Sequence, residues 1–359
     1  MISSKENLKY SQILIIGSGI IGKFNALELS NLGFQVSIID PCQDNNGSNA
    51  ALGILMGKIY QKRNGRSWEL RKKSMQLWPQ WLKKFQEIEG KAIFEKPLIK
   101  MTTYEDKFEK MKNFVQQHPN DKFEILQENS NLLKNIQRIF NNNKIKGFVS
   151  YEDGRINPKI LLNTIDTLLK KKDIETINKT VLEVKKNKDG WISILKGGSE
   201  IVSNIVILCN SLDSLEIVES SKYKFGLQPV VGQAIEICTN SNLINFLQLP
   251  KVFSINGKNI IPVSKDRIII GSTDEYTLRP KEEYIEGLTK FIEDKPNWLN
   301  TENITRKWFG IRSKPIGEAS PLMKTLEKGL ILCSGFYKNG ILLAPACSQW
   351  LSEEIKKHI

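Results

Sequence analysis

Apolar residues near the N-terminus follow the pattern of a strand, a helix and a second strand. A continuous apolar run at residues 13–16 is followed by glycines, and apolar residues then recur at helical spacing over residues 24–32. A second apolar run at residues 35–39 stops at Asp40. Short, uninterrupted apolar runs are typical of parallel strands that are buried on both faces. The pattern therefore predicts a βαβ unit that closes within about thirty residues.

The rest of the chain alternates between helical and strand-like segments. A loop of small residues at 47–53 precedes a long helical pattern over 68–85, and Asn157 with Pro158 marks the start of a further helix. The polar stretch at 127–143 is predicted to contain a helix and a loop. Strands are predicted at residues 174–177, 181–185, 191–195 and 201–208, with further strand-like segments over 230–272.

The C-terminal segment repeats the order of strand, glycine-rich loop and helix. Residues 329–334 are apolar, residues 335–340 form the loop, and a helix is predicted to begin near Ile341. Pro345 is expected in the first turn of that helix, where a missing backbone N–H is tolerated. A second helix N-terminus therefore follows a second glycine-rich loop.

Composition indicates an ordinary soluble enzyme. The chain has 359 residues, of which 40% are hydrophobic and 25% are charged, so one large or two intertwined domains are expected. No apolar run is long enough for a membrane span or a secretion signal, and a cytoplasmic location is expected.

The net charge of +13 raises the question of a nucleic-acid partner. The basic runs at 71–73, 170–172 and 356–357 are short and lack interleaved aromatic residues. They are predicted to be solvated helix faces or helix ends, and no nucleic-acid partner is expected. The excess charge can still steer an anionic ligand towards the protein.

The cysteines and histidines do not form a recognisable site. The five cysteines are scattered without a CxxC pair, so no disulfide framework and no metal site are predicted. The two histidines, His118 and His358, lie in a polar stretch and at the C-terminus. A histidine base is therefore not expected, and chemistry supplied by a cofactor is favoured.

The glycines after the first strand have the spacing of a dinucleotide-binding turn. Gly17 permits the sharp turn, Gly19 allows the backbone to approach a pyrophosphate, and Gly22 allows close packing of helix on strand. The helix N-terminus offers free N–H groups to phosphates. Asp40 is placed to accept hydrogen bonds from ribose hydroxyls, and it disfavours a 2′-phosphate. These residues alone do not separate NAD from FAD.

The C-terminal loop and helix separate the two cofactors. Reduced flavin carries negative charge near N1, which a helix N-terminus stabilises. Two helix N-termini from opposite ends of one chain suit a long molecule such as FAD. The loop at 47–53 is interpreted either as a plain turn or as a backbone-lined corridor along the flavin, and the segment by itself leaves both open.

Seven segments together resemble the D-amino-acid oxidase and glycine oxidase family of flavoproteins. They follow the order of the family over nearly the whole chain, and residues 339–346 resemble glycine oxidases in particular. The segments are residues 17–22 with Asp40, 48–53, 153–158, 231–233, 269–273, 308–312 and 335–345.

The resemblance implies an α/β fold of the glutathione-reductase-2 type, with a Rossmann-like FAD-binding domain and an interleaved antiparallel-sheet substrate domain. No cysteine lies between residues 312 and 328, so the FAD is expected to be noncovalent. The implied FAD-binding domain comprises residues 1–85, 147–220 and 305–359, and the substrate domain comprises 86–146 and 221–304. The expected FAD contacts are Gly17, Gly19, Ile20, Ile21, Gly22, Asp40, Ser48, Asn49, Ala50, Ala51, Gly53, Leu55, Val181, Cys209, Asn210, Gly335, Lys338, Asn339, Gly340, Ile341 and Leu342.

The resemblance also implies a substrate site. Arg312 is expected to bind the substrate carboxylate as a bidentate fork. Asn259 stands where the family leads one to expect a tyrosine, and residues 336–338 stand where histidine, an aromatic residue and arginine are frequent. Asp274 is interpreted as a turn residue or as a carboxylate that binds the substrate amine.

The implied reaction is oxidation of the C–N bond of a small amino acid or amine. A hydride passes from Cα to flavin N5, the imine hydrolyses to an oxo acid, and O2 or another acceptor reoxidises the flavin. Two alternatives remain: a flavoprotein that oxidises a glycine-like group on a modified tRNA nucleoside, and a non-catalytic FAD-binding protein. A homo-oligomer is compatible with the sequence.

Overall fold

The computed structural model describes residues 9–42, 46–218, 220–239 and 244–357, so His358 lies outside the described residues. The strands form two eight-stranded sheets and one three-stranded sheet. The strands are β1 Lys9–Ile16, β2 Val36–Ile39, β3 Ile54–Leu55, β4 Phe94–Glu95, β5 Leu98–Thr102, β6 Phe123–Ile125, β7 Lys146–Ser150, β8 Gly154–Ile156, β9 Glu175–Ile177, β10 Val181–Asn187, β11 Gly190–Leu195, β12 Glu200–Leu208, β13 Leu227–Cys238, β14 Val252–Ile255, β15 Lys258–Pro262, β16 Arg267–Gly271, β17 Ile304–Pro315, β18 Leu322–Glu327 and β19 Leu330–Ser334. The α-helices are α1 Ile20–Asn31, α2 Gly65–Glu89, α3 Glu105–Gln117, α4 Asn131–Ile139, α5 Pro158–Lys171, α6 Ser214–Ile217, α7 Ser220–Tyr223, α8 Glu283–Glu286 and α9 Gly340–Ile355.

The first large sheet contains the predicted βαβ unit. β1 pairs in parallel with β2 on one side and with β12 on the other, and α1 connects β1 to β2. The strand order is β10-β11-β12-β1-β2-β9, while β19 pairs with the second half of β12 and β18 pairs with β19. Residues 13–16 of β1 are at most 4% exposed. The prediction of buried parallel strands is therefore confirmed.

Helices α1, α2 and α9 form a layer on this sheet. The ring of Phe24 in α1 meets Trp78 of α2 edge-on at 5.7 Å and lies 4.8 Å from Trp81. Phe24 is fully buried, and both tryptophans are no more than 7% exposed. Burial of such large rings is a major stabilising contribution, and it fixes α1 relative to α2.

The position of Pro345 differs from the prediction. Pro345 is the sixth residue of α9 and lies inside the helix, so it interrupts the ladder of backbone hydrogen bonds. Ser74 of α2 fills the gap: its hydroxyl donates to the Leu342 carbonyl at 2.5 Å and accepts from the Ala346 N–H at 3.4 Å. Trp78 Nε1 also donates to the Leu342 carbonyl, at 3.0 Å. Side chains of α2 therefore make the interior proline tolerable.

The second large sheet has the order β17-β13-β16-β15-β14-β5-β7-β6. Its pairs are antiparallel with one exception, because β14 and β5 run in parallel. Most of β7 and most of β17 fall in segments that the sequence assigned to the FAD-binding domain. Local patterns predict a strand but not its partner strand, and the division into domains stays a prediction.

Helix α4 lies within the stretch 127–143, where the predicted helix and loop are confirmed, and it packs on the second large sheet. Its first turn is capped by Ser130, whose hydroxyl accepts from the Leu133 N–H at 3.3 Å. Trp298 donates its Nε1–H to the Ile139 carbonyl at 3.0 Å and packs edge-on against Phe140 at 5.4 Å. The second large sheet thus has a core of its own.

A third, short sheet has the strand order β3-β8-β4, and its strands lie between segments of the two large sheets along the chain. Asp153, just before β8, is fully buried and accepts hydrogen bonds from the backbone N–H groups of residues 57–59 and from the Ser150 hydroxyl. Burial raises the pKa of the Asp153 carboxyl, while these hydrogen bonds act in the opposite direction. Arg155 donates from Nε to the Leu52 carbonyl at 2.9 Å. These contacts hold the segment that follows the loop at 47–53.

Within the part of the chain that the structure describes, no helix combines the length and the apolar character that crossing a bilayer requires. The same residues contain no group of three or more His, Cys, Asp or Glu side chains arranged to hold a metal ion. All five cysteines are free thiols.

Candidate active site

A cavity of about 1080 Å³ is lined by residues of both large sheets. One end lies at the turn after β1 and at Asp40, and the other end lies at Arg312 of β17. The N-terminal turn of α9 forms part of the wall between these ends. Pockets for single small ligands usually occupy about 300–1000 Å³, so the cavity has room for more than a small amino acid.

The turn at residues 17–22 is shaped by close contacts that only glycine allows. Gly17 has a φ of +107°, and a Cβ there would lie 2.6 Å from the Cys209 carbonyl oxygen. A Cβ on Gly22 would lie 1.9 Å from the Gly17 carbonyl oxygen. The first N–H of α1, on Ile20, donates to the Ser48 hydroxyl at 3.0 Å. The geometry is that of a backbone cradle at a helix N-terminus.

Asp40 closes this end of the cavity. Its two carboxylate oxygens accept hydrogen bonds from the backbone N–H groups of Ser18 and Cys42, both at 2.6 Å. A carboxylate has about four acceptor positions, so Asp40 retains capacity for the hydroxyls of a bound ribose.

The loop at residues 46–53 lies on β17 and forms a long wall of the cavity. Trp308 donates from Nε1 to the Ala50 carbonyl at 3.2 Å, and a Cβ on Gly310 would lie 2.5 Å from the Cβ of Ala50. Gly53 has a φ of +76°, and a Cβ there would lie 1.8 Å from the Ile156 carbonyl oxygen. Except for Asn49, residues 46–53 line the cavity, which supports the corridor interpretation over a plain turn.

The C-terminal loop brings the start of α9 to the cavity. Gly335 adopts a φ of +64°, and a Cβ there would lie 2.8 Å from the Pro315 ring. Asn339 precedes the helix, and its Oδ1 accepts a hydrogen bond from Nη2 of Arg71 at 3.1 Å. A guanidinium therefore lies beside the helix N-terminus that faces the cavity.

Arg71 is a cavity residue that the sequence analysis placed wrongly on a solvated face. It is only 5% exposed, whereas Lys72 and Lys73 are exposed as predicted. Its guanidinium stacks on Tyr60 at 4.0 Å and donates to the Met56 carbonyl, and burial lowers its pKa. The sequence contained one signal for the burial of Arg71. Residues 71, 74, 78, 81 and 85 share one face of α2, so Arg71 lies on the buried face.

Arg312 occupies the other end of the cavity, and its side chain is 16% exposed. Nη1 donates to the Thr273 carbonyl at 3.1 Å, and Nη2 donates to the Ser272 hydroxyl at 2.6 Å. A Cβ on Gly232 would lie 2.0 Å from Nη2, so glycine at this position lets the guanidinium lie against β13. Burial lowers the pKa of Arg312, while the charge of Asp274 opposes that shift.

Asp274 does not line the cavity but joins two basic side chains beside it. One carboxylate oxygen accepts from Nη1 of Arg312 at 3.2 Å and from the Tyr337 hydroxyl at 3.3 Å, and the other contacts the ammonium of Lys338. Burial, followed by the Asp274 charge, raises the pKa of Tyr337. Asp274 is thus more than a turn residue, because it bridges Arg312 and Lys338.

A buried carboxylate supports the segment that carries Asp274. Glu275 is fully buried, and its carboxylate accepts from Nε2 of Gln233 at 2.9 Å, from the Thr273 hydroxyl, and from the Lys281 N–H at 2.9 Å. The Glu275 N–H and carbonyl also bond to Val231 of β13. This network fixes the backbone to which Arg312 is hydrogen-bonded, and sequence analysis did not identify it.

Most of the site residues expected from the sequence line one cavity. Asn259 also lines it, on β15. Gly22, Asn49, Leu55, Gly335 and Asp274 do not line it. Leu55 is 1% exposed and packs in the apolar core, so its expected contact with FAD stays a prediction. The lining set is Gly17, Gly19, Ile20, Ile21, Asp40, Ser48, Ala50, Ala51, Gly53, Val181, Cys209, Asn210, Lys338, Asn339, Gly340, Ile341, Leu342 and Arg312.

These features fit FAD. The glycine cradle suits the pyrophosphate, the backbone corridor at 46–53 suits the extended middle of the molecule, and the N-terminus of α9 with Arg71 suits the negative end of a reduced flavin. The fold and the site define a dinucleotide-binding oxidoreductase of the flavoprotein class.

The family follows from comparison with known proteins. The chain matches the family model DAO, described as FAD dependent oxidoreductase, over residues 12–354, and it belongs to that family. FAD is therefore its cofactor.

Two relatives and one solved structure illustrate the similarity. The chain is 21% identical over 351 residues to the bifunctional protein ThiO/ThiG of Synechocystis sp., covering 96% of this chain and 51% of that protein. It is 21% identical over 365 residues to glycine oxidase of Pseudomonas aeruginosa, covering 95% of this chain and 94% of that protein. The structure of glycine oxidase from Bacillus cereus superimposes with a TM-score of 0.81 at 23% identity, covering 97% of this chain and 96% of that one. The chain thus spans about half the length of the bifunctional relatives that it matches.

Proposed function

We propose that the protein oxidises the C–N bond of a small amino acid or amine. The observation that carries this proposal is the position of Arg312, a largely buried guanidinium at one end of the cavity whose other end holds the dinucleotide cradle. A planar fork of donors suits a carboxylate better than an ammonium does. The similarity to glycine oxidase points to the same class of substrate.

The chain's own residues position the substrate. Arg312 binds the carboxylate, while Ser272 and the Thr273 carbonyl orient the guanidinium. The wall formed by residues 46–53 and β17 excludes water from the reacting carbon. FAD, held by the glycine cradle at residues 17–22, Asp40 and the N-terminus of α9, would supply the redox chemistry as the hydride acceptor. The overall reaction would yield an imine that water converts to an oxo acid, with O2 or another acceptor as the final oxidant.

His118 has no part in the proposed reaction. Nδ1 of His118 is 2.7 Å from the Phe114 carbonyl, and the ring packs on Phe114 at 4.5 Å. His118 follows α3 and does not line the cavity. Positioning and electrostatics therefore supply the protein's share of catalysis.

We also propose which part of the fold binds FAD and which part binds the substrate. The first large sheet with α1, α2, α5 and α9 holds FAD, and the second large sheet presents Arg312, Asn259 and Ser272 to the substrate. β7 and β17 belong with the substrate part by strand pairing. The FAD contacts are the cavity-lining members of the set expected from the sequence.

Product analysis tests the proposed function. The purified yellow protein is incubated in air with a pool of amino acids and simple amines, and oxo acids, ammonia and hydrogen peroxide are measured. We expect at least one substrate to yield an oxo acid or aldehyde with an equal amount of released amine. Turnover of a tRNA nucleoside, with no turnover in the small-molecule pool, would instead support the tRNA alternative.

A further inference from the structure

Tyr337 is held in an uncommon backbone conformation at the substrate end of the cavity. It adopts a φ of +53°, and its N–H donates to the carbonyl of Ser313, the residue after Arg312, at 3.0 Å. A bulky side chain is rare at a positive φ, and such strained positions concentrate at functional sites. Tyr337 lines the cavity and lies shortly before α9. The backbone therefore holds this side chain close to both α9 and Arg312.

The Tyr337 hydroxyl donates to a carboxylate oxygen that also holds Arg312. Oδ1 of Asp274 accepts from this hydroxyl at 3.3 Å and from Nη1 of Arg312 at 3.2 Å. The hydroxyl oxygen and Nη1 are therefore no more than 6.5 Å apart, the sum of these two distances. Tyr337 and Arg312 line the cavity, whereas Asp274 does not. The hydroxyl proton is thus directed away from the cavity lining.

The Tyr337 oxygen keeps the capacity to accept a hydrogen bond. A phenol has one proton and two lone pairs on its oxygen. Tyr276 also lies within hydrogen-bond reach of this hydroxyl and uses at most one lone pair, while its own oxygen accepts from Nζ of Lys314 at 2.8 Å. Burial and then the charge of Asp274 raise the pKa of Tyr337, so the phenol stays protonated at neutral pH. The remaining lone pair can accept from a donor in the cavity.

An α-amino acid bound to Arg312 would bring such a donor within reach. Its amine nitrogen and carboxyl carbon are separated by two bonds, or about 2.5 Å. With a hydrogen bond of about 2.9 Å at each end, the molecule connects groups that are about 6–8 Å apart. The limit of 6.5 Å between Nη1 of Arg312 and the Tyr337 oxygen agrees with this span.

We propose that the phenolic oxygen of Tyr337 accepts a hydrogen bond from the N–H of the substrate amine, and that Asp274 is the positioning residue that directs the Tyr337 proton. This inference rests on the proposed function. It names the substrate class as primary or secondary α-amino acids, because a neutral tertiary amine has no N–H.

The same hydrogen bond would become stronger during the reaction. When the Cα–H bond leaves with its electron pair as a hydride to FAD, the nitrogen lone pair forms the C=N bond. The nitrogen keeps its N–H and becomes positively charged. A charged donor makes a stronger hydrogen bond than a neutral one, so Tyr337 would favour the transition state over the bound substrate.

A matched pair of ligands tests the hydrogen bond to the N–H. Pyrrole-2-carboxylate and 2-furoate are flat rings of the same size, with a carboxylate next to a ring N–H in one and a ring oxygen in the other. The carbon that bears the carboxylate has no hydrogen, so neither ligand can give a hydride. Each is titrated into the holoprotein in a calorimeter. We expect pyrrole-2-carboxylate to bind about 10-fold more tightly. Equal Kd values, or tighter binding of 2-furoate, would overturn the inference.

Variants assign the effect to Tyr337. In Tyr337→Phe, the ratio of the two Kd values should fall towards one, while the carboxylate shared by both ligands still binds Arg312. In Asp274→Asn, the hydroxyl can turn its proton into the cavity, so the ratio should also fall, and Asp274→Glu should recover part of it. Tyr276→Phe is the matched control, because it removes an exposed hydroxyl that does not line the cavity, and it should leave the ratio unchanged. An unchanged ratio in Tyr337→Phe would refute the assignment.

The titrations also distinguish this inference from the proposed function. If neither ligand binds, the carboxylate site at Arg312 is contradicted, and the inference fails with it. A preference for pyrrole-2-carboxylate that disappears in Tyr337→Phe, together with no oxidation of any amine, would contradict the proposed function alone.

Discussion

Arg312 is the residue on which substrate binding depends in this account. Its guanidinium is held by Ser272, Thr273 and Asp274, all from the segment that Glu275 anchors. Gly232 provides the space that lets this guanidinium lie against β13. A charge alone would not reproduce this geometry, because a lysine ammonium lacks the planar fork.

Replacement of Arg312 should therefore impair substrate use without removing the cofactor. In Arg312→Lys, we expect kcat/KM to fall by about 30- to 1000-fold, which corresponds to about 2–4 kcal/mol of lost transition-state binding. The measurement is anaerobic flavin reduction at several substrate concentrations. FAD content, measured after denaturation, should remain that of the unmodified protein. A variant with full activity would show that the carboxylate binds elsewhere.

Arg71 should act on the cofactor rather than on the substrate. Its buried guanidinium lies beside Asn339 and the N-terminus of α9, where we propose that the negative end of reduced flavin binds. In Arg71→Met, we expect the two-electron reduction potential to fall by about 30 mV or more, equivalent to about 1.4 kcal/mol. Dye-coupled reductive titration measures this potential. Lys72→Met, an exposed neighbour on the same helix, is the matched control and should leave the potential unchanged.

Among the secondary-structure elements, α2 and α9 make a contact that stabilises the fold and lies next to the cofactor site. Ser74 and Trp78 satisfy the Leu342 carbonyl where Pro345 interrupts the helix. In Ser74→Ala, a buried carbonyl and a buried N–H each lose this partner, so the free energy of unfolding should fall by about 1–3 kcal/mol. Urea unfolding of the holoprotein measures the change.

The control for this prediction is a second substitution. Adding Pro345→Ala to Ser74→Ala restores an N–H that can bond to the Ile341 carbonyl and removes the ring that holds this turn open, so the Ala346 N–H can approach the Leu342 carbonyl. The double variant should therefore recover part of the lost stability. If Ser74→Ala is as stable as the unmodified protein, Ser74 does not compensate for the proline.

Glu327, at the end of β18, links that strand to β10 and α7. Its carboxyl makes the free energy of unfolding depend on pH. Hydrogen bonds from Lys186 and then from Tyr223 lower its pKa from 4.5 to about 2. A carboxyl with a lowered folded-state pKa contributes stability above its unfolded pKa, and this contribution is lost as the pH falls. The window of loss thus runs from about pH 4.5 down to about pH 2.

In Glu327→Gln, the free energy of unfolding near neutral pH should be lower than in the unmodified protein. Between pH 4.5 and 3, the free energy of unfolding should decline less than in the unmodified protein. Midpoints of urea unfolding at pH 7, 4.5 and 3 test this expectation. The exposed control Glu353→Gln should decline like the unmodified protein. Parallel declines in Glu327→Gln and the unmodified protein would contradict the role of Glu327.

At the scale of the whole molecule, the parts that sequence predicted are those encoded locally. The cradle at residues 17–22, Asp40 and the start of α9 follow from glycine spacing and apolar runs within single segments. The fold class also followed from the resemblance over the whole chain. Helix α2 was predicted as an element, yet the burial of Arg71 in its face was not, because that burial depends on Tyr60 and Asn339 from other segments.

The substrate end was less predictable because three separate segments meet there. Arg312 was expected from its motif, but its contact with Asp274 and the link from Asp274 to Lys338 arise only when β17, the 272–275 segment and the C-terminal loop come together. The burial of Leu55 was not predictable, because a two-residue strand gives no alternation from which to predict its face.

The central claim is that this chain holds FAD noncovalently and that an amino acid or amine reduces it through the Arg312 site. The most direct measurement is anaerobic mixing of the purified holoprotein with glycine, sarcosine, D-amino acids and iminodiacetate, with the flavin absorbance followed in time. The account predicts bleaching of the oxidised flavin band by at least one compound and strong slowing in Arg312→Lys. A colourless protein that releases no flavin on denaturation, or a flavin that no amine bleaches, would contradict it.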